Sequence, residues 1–193
     1  MIDYINGTIT RITPAFLTIE TGGMGYFINI SLSTYSKLEG KEEFKILVHE
    51  VIREDAHQLF GFADREEREI FRLLISVSGV GAATARMMLS SLNPEEIEKA
   101  IIGSDVNLLK SVKGIGLKTA QRIIVDLKDK LGKPSETGEI FAVSDNTMRE
   151  EALSALVMLG FAKSSVSKVL DKILREEKTL SVEELIKRAL KNL

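Results

Sequence analysis

The sequence predicts an α+β protein in three folded parts: a small closed β-barrel over residues 1–64, paired helical hairpins over 65–131, and a three-helix bundle over 147–193. Three observations carry this. Short runs rich in β-branched and aromatic residues fill the first sixty positions, the apolar period then lengthens to that of a helix, and two Gly-x-Gly turns recur 35 positions apart.

The strand candidates are Ile2 to Ile5, Thr8 to Ile12, Phe16 to Ile19, Tyr26 to Ile30, Phe44 to Val51 and Leu59 to Phe62. Breaks at Asn6-Gly7, Thr13-Pro14, Gly22-Gly23 and Gly40-Lys41 have the turn chemistry expected between antiparallel strands. Five or six such strands in sixty residues suggest an OB-fold barrel.

From Arg65, the stripe Ile70, Leu73, Leu74 and Val77 marks a helix ending at Gly79, and helix resumes over Ala82 to Leu89. Asn93-Pro94-Glu95-Glu96 is a helix start with a cap, a first-turn proline and a capping-box glutamate, and Gly103 stops that helix. Asp105 caps a short helix through Leu108, Leu109 and Val112. After the second glycine turn, Leu117 to Leu131 forms a long amphipathic helix.

Residues 132–146, with Gly132, Pro134, Ser135, Gly138 and Ser144, read as a mobile linker in which Ile140 to Val143 could dock. The tail then offers three stripes. Leu153, Leu156, Val157 and Leu159 lead to the C-cap candidate Gly160; Val166, Val169, Leu170 and Ile173 follow; Val182, Leu185, Ile186, Ala189 and Leu190 come last, behind a capping box at Ser181 and Glu184.

Composition narrows function. The 193 residues are 44% hydrophobic and 28% charged, without a long apolar run or an N-terminal signal pattern, so a cytoplasmic protein with no membrane partner is expected. The chain has no cysteine, which excludes disulfides, thiolate metal sites and cysteine nucleophiles. Its net charge of −2 is unevenly spread: residues 1–64 carry 5 basic and 9 acidic side chains, 65–133 carry 12 and 9, and 134–193 carry 9 and 10. The basic excess therefore sits with the glycine turns.

A shift of 35 pairs Leu73, Leu74, Ser76, Val77, Gly79, Val80, Gly81, Thr84 and Ala85 with Leu108, Leu109, Ser111, Val112, Gly114, Ile115, Gly116, Thr119 and Ala120. Nine matches in one register mean an internal duplication. The glycines permit positive φ and close approach of an external backbone, while Val80 and Ile115 turn inward to fix each turn. The helix that follows opens with unpaired N–H groups and the positive end of its dipole. This is a grip for a phosphate chain, and it holds DNA without reading bases. The candidate backbone-binding residues are Ser78, Gly79, Val80, Gly81, Ala83 and Thr84 in the first copy. In the second they are Lys110, Lys113, Gly114, Ile115, Gly116, Lys118, Thr119 and Arg122. Two copies about a local pseudo-twofold would hold two strands across a minor groove.

Other chemistries fit less well. Leu117 separates Gly116 from Lys118, and Val112 stands where a P-loop needs its leading glycine. A dinucleotide fingerprint lacks both its strand and its third glycine. His49-Glu50 would need a second histidine at Arg53 to make a zinc-protease motif. No catalytic constellation, metal site or cofactor is expected. Two alternatives remain open: a magnesium nuclease using Glu50, Glu54 and Asp55, and a protein-interaction module whose hairpins only pack helices.

Arg53-Glu54-Asp55-Ala56, Gly79-Val80-Gly81 and Lys113-Gly114-Ile115-Gly116 followed by Lys118-Thr119-Ala120, in this order of domains, closely resemble the RuvA family of Holliday-junction-binding proteins. The resemblance covers the whole chain. It implies a homotetramer, able to pair into an octamer, that holds a four-way DNA junction open in recombination, DNA repair and the SOS response. It also implies that Glu54 and Asp55 form an acidic pin near the tetramer centre. The tail would resemble a ubiquitin-associated three-helix bundle, contacting the hexameric ATPase RuvB through Leu159, Gly160 and Phe161, with the resolvase RuvC as a further partner. One departure stands out: Ala82-Ala83-Thr84 follows the first turn where relatives commonly carry a lysine, so the two hairpins should share binding unevenly.

Overall fold

The structure is a computed structural model describing residues 1–131, 146–176 and 180–193. The expected linker, with Ile140 to Val143, lies outside these residues except for Asn146, which begins a helix. The chain divides into two compact units, Met1–Lys133 and Pro134–Leu193.

The first unit opens with five strands, β1 Tyr4–Ile12, β2 Phe16–Thr21, β3 Met24–Ile30, β4 Glu43–Ile52 and β5 His57–Phe62, closed in the order β1-β2-β3-β5-β4. All neighbours are antiparallel except β3 and β5. Alternation puts Leu17, Ile19, Ile28, Ile30, Ile46 and Val48 inside, where they form the barrel core.

Two expectations need correction. The break at Asn6-Gly7 is no turn: Ile2 to Ile5 and Thr8 to Ile12 largely belong to one strand, in which Gly7 pairs with Phe44. A Cβ on Gly7 would lie 2.1 Å from the Glu20 carbonyl oxygen, so this glycine permits close backbone approach. The connection from β3 to β4 is also not a simple turn, because it holds helix α1, Leu32–Leu38, which leads into Gly40.

Helix α1 links the barrel to the helical half through a buried polar cluster. Ser31 caps it, and the Ser31 and Thr34 hydroxyls donate to the two carboxylate oxygens of buried Glu67 on α2, Arg65–Ile75; the Thr34 bond is 2.7 Å. Burial pushes the Glu67 carboxyl above its ordinary pKa, and the two hydroxyls only partly oppose this. The fold therefore holds this proton more tightly than the unfolded chain does. That stabilisation is complete below the ordinary glutamate pKa and is lost as pH rises through the raised value. In thermal melts from pH 4 to 8, Glu67→Gln should gain on the wild type as pH increases. Glu67→Ala should cost about 2–5 kcal/mol at the acid end of this range, by stranding two buried hydroxyls, and less as pH rises.

Phe60 and Phe62 leave β5 on its outer side and pack with Phe71 of α2, at ring-centroid distances of 5.2 and 4.9 Å. They open a second core shared with α3 Ala82–Ser91, α4 Pro94–Ile102, α5 Val106–Ser111 and α6 Leu117–Leu131. The capping box at Asn93 and Glu96 forms as expected, and Asp105 caps α5. At the end of α4 the left-handed residue is Ser104, φ 58°, while Gly103 stays right-handed.

The second unit contains α7 Asn146–Met158, α8 Lys163–Glu176 and α9 Val182–Asn192, around Leu153, Leu156, Val166, Leu170, Leu185 and Ala189. Ser181 and Glu184 make the expected capping box. The stripe on α7 is corrected: Ala152 joins the core, whereas Val157 is exposed, along with Leu159 beyond the helix.

Candidate nucleic-acid interface

The duplication recurs bond for bond. The Val77 amide donates to Leu74 at 3.1 Å and Val112 to Leu109 at 3.3 Å; Val80 donates to Val77 at 3.0 Å and Ile115 to Val112 at 3.1 Å. Ala85 donates to Gly81, and Ala120 to Gly116, both at 2.9 Å. The Ser76 and Ser111 hydroxyls each close on the residue three back, at 2.7 and 2.6 Å. Each of these bonds has its partner 35 residues later.

Glycine is needed at the first position of each turn, where φ is 92° at Gly79 and 94° at Gly114. Gly81 differs from expectation, since it caps α3 with φ −87°, a value open to any residue. Its advantage is room: a Cβ on Gly79, Gly81, Gly114 or Gly116 would meet nothing within 4 Å. Val80 and Ile115 are buried as anticipated.

The start of α3 is open to an external acceptor. Helices α1, α2, α4, α5 and α9 each have a cap side chain, Ser31, Asp64, Asn93, Asp105 or Ser181, accepting from an amide of the first turn. Helix α3 has none. Its leading N–H groups, around exposed Ala83 and half-buried Thr84, therefore face outward without a side-chain acceptor. A phosphate oxygen would complete the cap and meet the positive dipole end.

Charge is uneven, but less so than the sequence suggested. Lys110, Lys113 and Lys118 are exposed around the second turn, with Thr119 half-buried beside them. Arg122, grouped with that copy by sequence, donates to the Ser78 carbonyl of the first turn at 3.3 Å. One guanidinium therefore sits at the hairpin that lacks its own lysine. Sequence spacing could not reveal this contact, because it joins residues 44 apart.

Glu54 and Asp55 occupy the tip of the β4–β5 hairpin. Arg53 donates to Ala56 at 2.8 Å and Ala56 returns the bond at 3.4 Å, so a narrow turn presents both exposed carboxylates. Glu50, from the nuclease alternative, is committed elsewhere: its carboxylate bonds His57 at 2.8 Å and accepts from the Ile2 amide at 3.2 Å. The His57 bond, then the Ile2 amide and the terminal amine, hold Glu50 below the usual carboxylate pKa despite desolvation. Among the described residues, no three acidic or histidine side chains are grouped to hold a metal ion.

Arg86 was missed by sequence reasoning. From α3 it donates to the Ala15 carbonyl at 2.8 Å and to Asn29 at 3.3 Å, bracing the first hairpin against the barrel. A lone arginine in an alanine- and methionine-rich helix was the available signal.

In the tail, Gly160 has φ 99°, and Phe161 donates to Leu156 at 3.2 Å, closing α7. Leu159 is 62% exposed and Met158 86%, whereas Phe161 packs partly against the bundle core. Among the described residues no helix is long and apolar enough to cross a membrane.

Comparison with known proteins agrees with this architecture. A family model described as "RuvA N terminal domain" matches residues 1–61, "SAM-like Helix-hairpin-helix tandem" matches 71–129, and "RuvA, C-terminal domain" matches 147–193. Proteins named "Holliday junction branch migration complex subunit RuvA" are similar over the full length of both chains. They include those of Christiangramia forsetii at 52% identity, Bacteroides thetaiotaomicron at 51% and Parabacteroides distasonis at 54%. On full-length similarity at this level, and on family models covering all three regions, the chain belongs to the RuvA family.

Proposed function

We propose that this chain is a non-catalytic scaffold that binds four-way DNA junctions as a homotetramer, able to pair into an octamer, and recruits the hexameric ATPase RuvB for branch migration in the cytoplasm. The observation that carries the reading is the duplicated turn, with left-handed Gly79 and Gly114 and open space where a phosphate would approach. The relatives' shared name, which places them in a branch migration complex, supports it. In this reading residues 1–64 assemble the tetramer and place the pin, residues 65–131 grip the arms, residues 132–146 link, and residues 147–193 engage the motor. RuvC would act on the same junction.

Phosphate grips retain any duplex, so junction preference has to come from the pin and from fourfold assembly. Four pairs of carboxylates at the crossover would repel duplex phosphates and favour the open centre. Exposed Leu159, beside Met158 and the Gly160 turn, is the apolar surface we assign to the motor, with Phe161 holding the turn in place.

Labelled junction incubated with the protein and Mg²⁺ should run as a shifted, uncut complex; strand cleavage would instead favour the nuclease reading. A chain ending after Gly132 should bind junctions with unchanged affinity but fail to stimulate ATP hydrolysis by the motor. Retained stimulation would place the contact in the first unit.

A further inference from the structure

We propose that the outer face of β2 and β3 is a stacking platform for one unpaired DNA base, with Phe27 as its contact surface. This rests on the junction-binding reading above.

Phe16 of β2 and Phe27 of β3 stack with centroids 4.6 Å apart and planes 28° from parallel. Phe27 is 55% exposed, unusual for an aromatic ring on a barrel whose core is already filled by the opposite face of the same strands. A register shift in β1 between Ile9 and Arg11 brings Arg11 beside this pair, and its guanidinium lies 5.0 Å from the Phe16 centroid. Arg11 is exposed and pairs with no carboxylate among the described residues. A flat apolar ring backed by a second ring, which itself carries a cation not neutralised by a carboxylate, offers a base face and its phosphate what each requires.

Location favours a nucleobase over other occupants. In five-stranded barrels of this type, the face of the second and third strands is where oligonucleotides bind. Here that face adjoins both features assigned to DNA. Ile28, next to Phe27, pairs with Leu59, two residues from His57 at the base of the acidic turn. On the other side, Arg86 joins the first hairpin's helix to Ala15 and Asn29, the neighbours of the stacked pair. A base released near the crossover would find Phe27 within the same compact unit that holds its backbone.

The test uses the full chain and a four-way junction carrying one unpaired 5-iodouracil at the crossover. Irradiation of the bound complex should crosslink the peptide containing Phe27. Phe27→Tyr should retain the crosslink. Phe27→Leu, at an exposed position that keeps apolar bulk, should lose it and bind this junction about 5- to 150-fold more weakly, while linear duplex affinity stays unchanged. A crosslink elsewhere, or full affinity in Phe27→Leu, overturns the proposal. So does a smaller assembly mass for Phe27→Leu, which would mean that a second copy of the chain covers this face. Failure of the wild type to bind any junction would instead remove the junction reading itself, and the platform with it.

Discussion

Gly79→Val and Gly114→Val should each reduce junction binding by at least about 100-fold in a chain that still folds. A β-branched residue at φ above 90° is strained, at about 1–3 kcal/mol, within the reserve of an ordinary domain. Nothing lies within 4 Å of the added Cβ, so the protein itself raises no clash. The loss falls on DNA, because the side chain fills the space where phosphate meets the amides. Charge-assisted hydrogen bonds are worth about 1.5–3 kcal/mol each, so losing two accounts for the predicted factor. Gly81→Ala is a cleaner companion, since its φ of −87° suits alanine and any loss of binding cannot be strain. Gel shifts together with thermal melts test both. Weakened binding that tracks lost stability would make the turns purely structural.

Glu54→Gln with Asp55→Asn should act in the opposite direction on plain duplex, tightening it by about 5- to 30-fold at low salt while junction preference erodes. Each carboxylate near a phosphate costs about 1 kcal/mol at 4 Å in water, and more where water is excluded. Both side chains are exposed at a turn closed by its own backbone bonds, so neutralising them leaves the hairpin's hydrogen bonding intact. The effect should shrink as salt screens it. Unchanged duplex affinity across a salt series would count against an electrostatic pin.

The repeat was the most legible feature of the chain. Identical residue types at a fixed offset force identical local bonds, so Gly79, Gly114, Val80 and Ile115 could be placed from the sequence. Capping boxes at Asn93 and Ser181 were readable for the same reason: their chemistry spans only four positions. What stayed hidden depends on distant partners. Gly7 looks like a turn residue until Glu20 is seen against it, and α1 is too short to establish an apolar period. Its signals were the Ser31 cap and Gly40, but its anchor, Glu67, is 36 residues from Ser31. The Arg122 and Arg86 contacts, and the Arg11, Phe16 and Phe27 group, likewise exist only once the strands and helices are packed.

The most direct test is competition between a four-way junction and linear duplex of the same sequence for the full chain, across a salt series, with the mass of the complex measured alongside. The account predicts a large junction preference, affinity falling as salt rises, and a complex containing four or eight chains. Equal affinity for the two DNAs, or a single chain bound per junction, would contradict it.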